Sequence, residues 1–321
     1  MKIKKIKINS LYGKLNFEWE FDEKVNILAG INGSYKTTIL NIIRQVTNHE
    51  EVKYPVSSVV AEYTDGIKLT YTRRISDIQT ILDNRESNKV VVEKIEKDHP
   101  EWLSGGEAVR NVQVTIVSYR EEKNGQDLSM DEYEKEKRID FISTFDVVSN
   151  RDKETVLNAE LRRLREFYAF YISDLSKQVS DLFNESGNVN KSQVDAVYKY
   201  RNEFISIVND SFKETGKTMS ESSNGLSFQM ENGQTVQLFN LSAGEKQLLI
   251  ILLTALLEKR QDFVLLMDEP EISMHIDMQY TLIDNLMKIN PELQLIMSTH
   301  SPAIFGSGWG DKVVMADSIM K

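Results

Sequence analysis

Nine residues, Gly30-Ile31-Asn32-Gly33-Ser34-Tyr35-Lys36-Thr37-Thr38, leave this chain few ways to fold. An apolar strand-like run, Val25-Asn26-Ile27-Leu28-Ala29, leads in, and a helical pattern, Ile39-Leu40-Asn41-Ile42-Ile43, leads out. Strand, glycine turn, lysine, hydroxyl and helix in that order make a phosphate-binding loop. Backbone N–H groups and the helix N-terminus offer partial positive charge to an anion. In such a loop Lys36 reaches the terminal phosphates and the Thr37 hydroxyl ligates Mg2+. The usual pattern, G-x-x-x-x-G-K-[ST], has a glycine where this chain has Tyr35, with Gly33 kept two residues earlier. The tyrosine either crowds the phosphates or leaves the backbone cradle intact. A plain Gly-Ser turn between strand and helix is the alternative to a phosphate loop altogether.

A length of 321 residues allows one large domain or two modest ones, with room for a sizeable core. The hydrophobic share of 40% and charged share of 27% fit a soluble globular protein. The absence of cysteine excludes disulfides and thiolate metal sites and suits a reducing, cytoplasmic setting. Lysines alternate with isoleucines in Lys2–Ile8, which predicts a strand with a solvated lysine face; a basic nucleic-acid arm is the sharper alternative. No apolar stretch follows those lysines, so a signal peptide is not expected. The apolar run Leu248–Leu257 is too short to cross a bilayer and reads as a buried helix, so no membrane role is expected. A net charge of −10 gives little general attraction to a phosphate backbone. Nucleic acid remains possible only through a local basic patch or a partner.

Residues 2–9 and 15–21 read as strands, with Phe17, Trp19 and Phe21 alternating with polar neighbours. The stretch from about 56 to 120 is β-rich: residues 56–61 and 67–71 flank the turn signal Asp65-Gly66, and Val112, Val114 and Ile116 alternate. Ser104-Gly105-Gly106-Glu107 reads as a loop because no apolar helix follows it, residues 121–137 read as charged and exposed, and residues 139–144 as a core strand. From 151 to 213 leucines and tyrosines recur at threes and fours, from Leu157 to Leu182 and again from Val194 to Phe212, around a polar break at 184–188. This predicts an antiparallel helical hairpin with a narrow apolar seam. Arg162, Arg163 and Arg165 on its first arm are either a solvated face or a phosphate or partner contact. Residues 226–230 and 235–239 read as a hairpin.

Three further stretches carry chemistry. In Leu241-Ser242-Ala243-Gly244-Glu245-Lys246-Gln247 the serine is a good N-cap and Glu245 completes a capping box, ahead of a continuous apolar helix. Such a helix tip is either ordinary structure or a second anion site. The apolar strand Phe263–Met267 ends in Asp268-Glu269-Pro270-Glu271. Asp268 can hold the Mg2+ bound by Thr37, and Glu269 can act as general base on water. The strand Leu293–Met297 delivers Ser298-Thr299-His300-Ser301-Pro302 to its carboxyl end, where open α/β sheets bind ligands. His300 there orients water or senses the γ-phosphate. A nuclease metal cluster of His275, His300, Asp268, Glu269 and Glu271 is the competing reading, and it leaves the glycine loop and helix tip unexplained.

The order and spacing of these four motifs resemble the Walker A, signature, Walker B and switch-histidine motifs of ABC-class ATPases. The wording Asp-Glu-Pro-Glu and Ser-Thr-His-Ser-Pro is more similar to the SMC-like, RecF-like and OLD-family branch than to transporter ATPases. The resemblance implies an α/β P-loop NTPase head, a mixed sheet with an antiparallel β subdomain and a helical-hairpin insertion. Residues 1–150 and 219–321 would form the head and residues 151–218 a coiled-coil-like insertion. It implies ATP and Mg2+ as cofactors. Gly30, Asn32, Gly33, Ser34, Tyr35, Lys36, Thr37 and Thr38 would hold nucleotide, Thr37 and Asp268 the metal, and Glu269 and His300 the chemistry.

In this class two heads sandwich two ATPs, so Ser242, Gly244 and Glu245 would cap the γ-phosphate held by another copy, and Asp277 would couple the two sites. A homodimer or higher homo-oligomer follows. No glutamine sits in a clear Q-loop context; the region Ile142–Phe145 is the nearest candidate. With about twenty residues after His300, the Toprim nuclease of OLD proteins is not expected here. The chain is thus similar to stand-alone ATPase subunits of bacterial antiphage systems such as Septu, PARIS and certain retrons. The expectation is a slow or partner-regulated ATPase controlling a separate nuclease or toxin effector. The alternatives are a DNA-repair or SMC-like ATPase acting on DNA, and a nucleotide-locked scaffold with little hydrolysis.

Overall fold

The computed structural model describes residues 1–104, 112–128, 139–143, 155–220, 225–258 and 263–321. The chain divides into two compact units. The first contains residues 1–2, 22–40 and 137–318; the second contains 3–21, 41–136 and 319–321.

In the second unit, strands β1 (Ile3–Leu11) and β2 (Leu15–Glu20) pair antiparallel, and Lys5 lies 2.5 Å from Glu18 and 2.7 Å from Glu20 across the pair. The lysine face of β1 is therefore matched by carboxylates within its own sheet. The apolar positions Ile6, Ile8, Phe17 and Trp19 go to the core side.

The strand that feeds the phosphate loop, β3 (Val25–Ala29), belongs to the first unit. It leads to helix α1 (Lys36–Thr47), whose residues from Asn41 count with the second unit. Strands β4 (Ser58–Tyr63), β5 (Ile67–Asp77), β6 (Gln113–Lys123) and β7 (Gln126–Asp127) extend the sheet of the second unit in the order β2-β1-β4-β5-β6-β7. Two helices, α2 (Ile78–Asp83) and α3 (Lys89–Asp98), lie within the stretch from about 56 to 120 expected to be β-rich, between the strands named there. The run Val90-Val91-Val92 favours a strand by intrinsic preference. Burial overrides it: Val92 and Ile95, three apart on one helical face, pack with Ile78, Ile81 and Ile116. Residues 105–107 of the expected glycine loop and most of the charged stretch 121–137 lie outside the described residues.

The core of the first unit is a parallel sheet. Its other strands are β8 (Ile139–Ser143), β12 (Phe263–Asp268), β13 (Leu293–Thr299) and β14 (Val313–Met315), in the order β14-β3-β13-β12-β8. Every residue of β3, β12 and β13 is buried, as expected for a parallel sheet covered on both faces. The register decides where the chemistry goes. Asp268 pairs with Ser298, and Ala29 pairs with Thr299, so β3, β12 and β13 end side by side at one carboxyl edge.

Between β8 and β12 the chain forms helices α4 (Val156–Ser186) and α5 (Lys191–Ser211). Gly187 in the left-handed region (φ 71°) ends α4, and a capping box of Asn190 and Gln193 starts α5. Ser176 and Tyr198 meet across the pair at 3.3 Å. The inner halves are core: Leu161, Tyr168 and Leu175 of α4 and Phe204 and Val208 of α5 join one apolar cluster with helices α6 (Ala243–Leu257) and α7 (Ile276–Ile289). From Ser176 to Tyr200 no residue is fully buried. The arginines of α4 have partners in the chain: Arg162 and Arg165 lie over the Phe239 ring, and Arg163 pairs with Glu160. The expected hairpin after residue 226 is shorter than its pattern suggested. Strands β9 (Lys217–Met219), β10 (Phe228–Met230) and β11 (Thr235–Val236) form a three-stranded sheet, and Leu238–Asn240 turns into a 3-10 helix.

Among the described residues no helix is long and apolar enough to cross a membrane.

Candidate functional site

The glycine loop leaves β3 at Gly30 and enters α1 at Lys36. Gly30 is there for space, since a Cβ would lie 2.6 Å from Ser34 Oγ and 3.3 Å from Ala316 Cβ. Gly33 and Tyr35 both take left-handed backbone angles, φ 83° and 65°. Tyr35 thus keeps the backbone shape that the missing glycine would give, at a cost of about 1–2 kcal/mol for a residue with a Cβ. Ile31, Asn32, Gly33 and Thr37 are exposed, Tyr35 and Thr38 are half-buried, and Ser34 is buried. The Lys36 ammonium is folded inward: Nζ donates to Gly30 O at 3.0 Å, Ile31 O at 3.1 Å and Ser34 Oγ at 3.4 Å. Burial pushes its pKa below the ordinary lysine value, while Glu269, Asp268 and Glu271 pull the other way. A cation held by neutral carbonyls can exchange them for the oxygens of an anion.

The neighbouring strand ends supply the rest. Thr37 Oγ1 donates to Asp268 Oδ1 at 3.1 Å, and Ser298 Oγ donates to the same oxygen. A hydroxyl and a carboxylate in direct contact are the donor set that a magnesium ion takes. Glu269, with φ 49°, is a second non-glycine residue in the left-handed region. Its N–H donates to Ser298 O at 3.0 Å, and its carboxylate lies 3.2 Å from His300 Nε2. The turn carrying His300 rests on Glu271, whose Oε1 accepts from the His300 backbone N–H. Lys36, Thr37, Asp268, Glu269 and His300 therefore gather at one sheet edge. Sequence reasoning gave no task to Ser298, and gave Glu271 one only in the nuclease alternative. The signal for both was present, a hydroxyl and a carboxylate one or two places from assigned residues, but their partners are about thirty positions away.

The helix tip at Ser242 forms a second cluster. Ser242 Oγ accepts from Glu245 N, and Glu245 Oε2 accepts from Ser242 N at 2.8 Å. The other oxygen, Oε1, accepts from Thr215 Oγ1 and Lys217 Nζ, both at 2.7 Å. Glu245 is 1% exposed. With both oxygens engaged inside its own chain, it builds the tip and has no free oxygen edge for a ligand. Gly244 is buried too, and a Cβ there would sit 2.1 Å from the Ser273 carbonyl oxygen. It is the close approach of two backbones, with Ser273 itself at φ 71°, that requires glycine. Ser242 and Ala243 are the exposed residues of the tip. Asp277 is exposed in the first turn of α7, 3.1 Å from His275 Nδ1. His275 thus points to Asp277, and among the described residues no three His, Asp or Glu side chains converge to hold a metal ion, against the nuclease alternative. Residues 144–145 of the Q-loop candidate lie outside the described residues; Ile142 is a buried strand residue.

Burial alone pulls the Glu245 carboxyl upward, but hydrogen bonds from Lys217, Thr215 and the Ser242 N–H, with the Lys217 charge, bring it below the ordinary value. Glu245→Gln is expected to destabilise the fold by about 1–3 kcal/mol at neutral pH. A lowered folded-state pKa stabilises above the unfolded carboxylate pKa of about 4.3 and is lost as pH falls through the lower folded value. The gap between wild type and variant in chemical denaturation should therefore narrow below about pH 4. A gap that widens on acidification would contradict the assignment.

Comparison with known proteins finds a similar curated protein and solved structures of similar fold. A curated "Retron Vc95 probable ATPase" from Vibrio cholerae serotype O1 biovar El Tor is 28% identical over 101 residues, which span 28% of this chain and 20% of that protein. A solved SMC head bound to the C-winged helix domain of ScpA superposes with a TM-score of 0.51 at 13% identity, covering 96% of this chain and 92% of that one. The SMC head domain from Thermotoga maritima gives 0.46 at 13% identity over the same shares. The α/β fold is thus that of an SMC-type ATPase head. Residues 25–306 match the family described as "AAA domain, putative AbiEii toxin, Type IV TA system", and the chain belongs to that family.

Proposed function

We propose that this chain binds and hydrolyses ATP, and that two copies close head to head around the nucleotide to control a separate effector, a nuclease or toxin, in antiphage defence. The observation that carries the enzymatic half is the convergence at one sheet edge. Lys36 lies in a glycine loop, Thr37 is 3.1 Å from Asp268, and Glu269 is 3.2 Å from His300. Magnesium, when bound, would be held by Thr37 and Asp268 and would offset the charge of the terminal phosphates. Lys36 then turns from the loop carbonyls to those phosphates, Glu269 takes the proton of the attacking water, and His300 orients it. The head-to-head half rests on the second cluster. Ser242 and Ala243 are exposed at the positive end of α6, which suits capping a phosphate, and the resemblance gives that phosphate to another copy.

The effector half draws on the retron relative and on a family described by a toxin–antitoxin system. It is an inference from analogy of family. Direct action on DNA has less behind it: the net charge is −10, and the arginines of α4 have partners within the chain.

The test is the mass of the Glu269→Gln protein, measured by light scattering with Mg2+ and ATP or ADP. The expected result is a doubled or higher mass with ATP only, alongside measurable ATP turnover by the wild type. A mass indifferent to nucleotide would remove the head-to-head assembly, and a wild type without turnover would remove the enzyme. Turnover that rises with added DNA and falls steeply with salt would favour the DNA reading.

A further inference from the structure

Glu271 sits two residues beyond the candidate base, yet it faces a different segment. Its Oε1 accepts three hydrogen bonds from the turn that follows β13: Thr299 Oγ1 at 2.8 Å, His300 N at 2.6 Å and Ser301 N at 3.2 Å. A carboxylate taking two successive backbone N–H groups and a hydroxyl is a strong, charge-assisted clamp. The clamp is closed from the other side. Ser301 Oγ donates to Gln279 Oε1 at 2.6 Å, and Gln279 Nε2 donates to Met274 O at 3.0 Å. Met274 N in turn donates to the Glu271 carbonyl at 2.9 Å. Glu271, Met274, Gln279 and Ser301 thus form a hydrogen-bonded ring beneath His300, and Gln279 is 9% exposed.

Glu269 is held by different atoms, the Ser298 carbonyl and hydroxyl. The 3.2 Å contact between Glu269 and His300 is therefore flanked by two ties between the same two segments, Glu269 N–H to Ser298 and Glu271 Oε1 to the turn of residues 299–301. Oε1 takes three donors, and Oε2 is buried.

We propose that Glu271 is a positioning residue for His300, and that Gln279 is its second support. Glu271 fixes the backbone of the turn, and thereby the imidazole, where the terminal phosphate of a bound nucleoside triphosphate would lie. This rests on the nucleotide reading above. It differs from a charge or base role in a way that substitution separates. Glutamine keeps an oxygen at Oε1 that can accept from all three donors, whereas alanine removes the acceptor.

The experiment measures equilibrium affinities for ATP and ADP together with kcat, for wild type, Glu271→Ala, Glu271→Gln and Gln279→Ala. Glu271→Ala is expected to lose roughly 10- to 100-fold in kcat, the scale of misplacing a reacting group by about an ångström. It should also lose most of the preference for ATP over ADP while ADP affinity holds, because ADP has no phosphate for His300 to meet. Glu271→Gln is expected to stay within about threefold of wild type in both, and Gln279→Ala to fall between. A Glu271→Ala protein with wild-type values overturns the proposal, as does a Glu271→Gln protein as impaired as alanine. Should Glu271→Ala fail to fold, wild-type behaviour of Gln279→Ala overturns it instead. A wild type that binds no ATP takes down the nucleotide reading as well; ATP binding with an unaffected Glu271→Ala takes down this assignment alone.

Discussion

Glutamine in place of Glu269 is expected to slow ATP turnover by about 10²- to 10⁴-fold, the usual worth of a general base. Affinity for ATP should change little. The substitution removes only the ability to take a proton. It preserves shape and volume, and the amide oxygen can still face His300 Nε2, now 3.2 Å from a carboxylate oxygen. The backbone bonds from residue 269 to Ser298 do not involve the side chain. Asp268 makes the contrasting case: its carboxylate ties Thr37 to Ser298, so changing it disturbs the phosphate loop and the sheet edge together. Phosphate release under saturating ATP, beside equilibrium binding, checks the claim. Turnover at the wild-type rate would show that Glu269 is not the base.

The strained backbone at Glu269 fits that role. Of the non-glycine residues with positive φ, Tyr35, Glu269 and Ser273 all lie in motif loops of the first unit. Each costs about 1–3 kcal/mol and persists only where surrounding contacts fix it. Such a cost at three loop positions is what a site that aims its groups before ligand arrives would carry.

Much of this arrangement was legible in the sequence for a simple reason. A fully buried parallel strand reads as an unbroken apolar run, and whatever polar residue ends the run is delivered to the sheet edge. Phe263–Met267 announces its strand this way, and Val25–Ala29 and Leu293–Met297 do so with one polar interruption each, Asn26 and Gln294; the loop at Gly30, Asp268 and the Ser298–His300 turn lie where these runs end. Residues whose task depends on a partner far along the chain were not legible. Nothing local at Lys217 or Thr215 marks them as the partners of Glu245, because a small three-stranded sheet must form before they meet. Glu271 reads like any acidic loop residue until β12 and β13 are set in register. The helix at Lys89–Asp98 was hidden by its valines, whose local preference loses to packing against Ile78, Ile81 and Ile116. Gly244 carried a clear motif signal, but the Ser273 carbonyl, which a Cβ there would meet at 2.1 Å, could not be read from the sequence.

Two chains that are each inactive should regain activity when mixed. Lys36→Ala removes the buried ammonium that donates to Gly30, Ile31 and Ser34 and that would grip the terminal phosphates. A charged hydrogen bond is worth about 1.5–3 kcal/mol, so ATP affinity should fall at least about tenfold, and turnover to near background. Ala243→Glu alters the other cluster without undoing its cap. Ala243 is exposed, a carboxylate in the first helical turn is favourable to the helix, and Ser242 and Glu245 keep their mutual bonds. The new charge repels a triphosphate brought by another copy. If each site takes its phosphate loop from one chain and its helix tip from a second, a mixed pair has one intact site. It combines Lys36 of the Ala243→Glu chain with the tip of the Lys36→Ala chain. Random pairing makes half of all pairs mixed, so an equimolar mixture should recover about a quarter of wild-type turnover per chain. Steady-state phosphate release from the mixture, compared with the sum of its two components, measures this. A mixture no more active than that sum would mean that every chain works with its own residues alone, and the shared site would have to be given up while the single-chain nucleotide site survived.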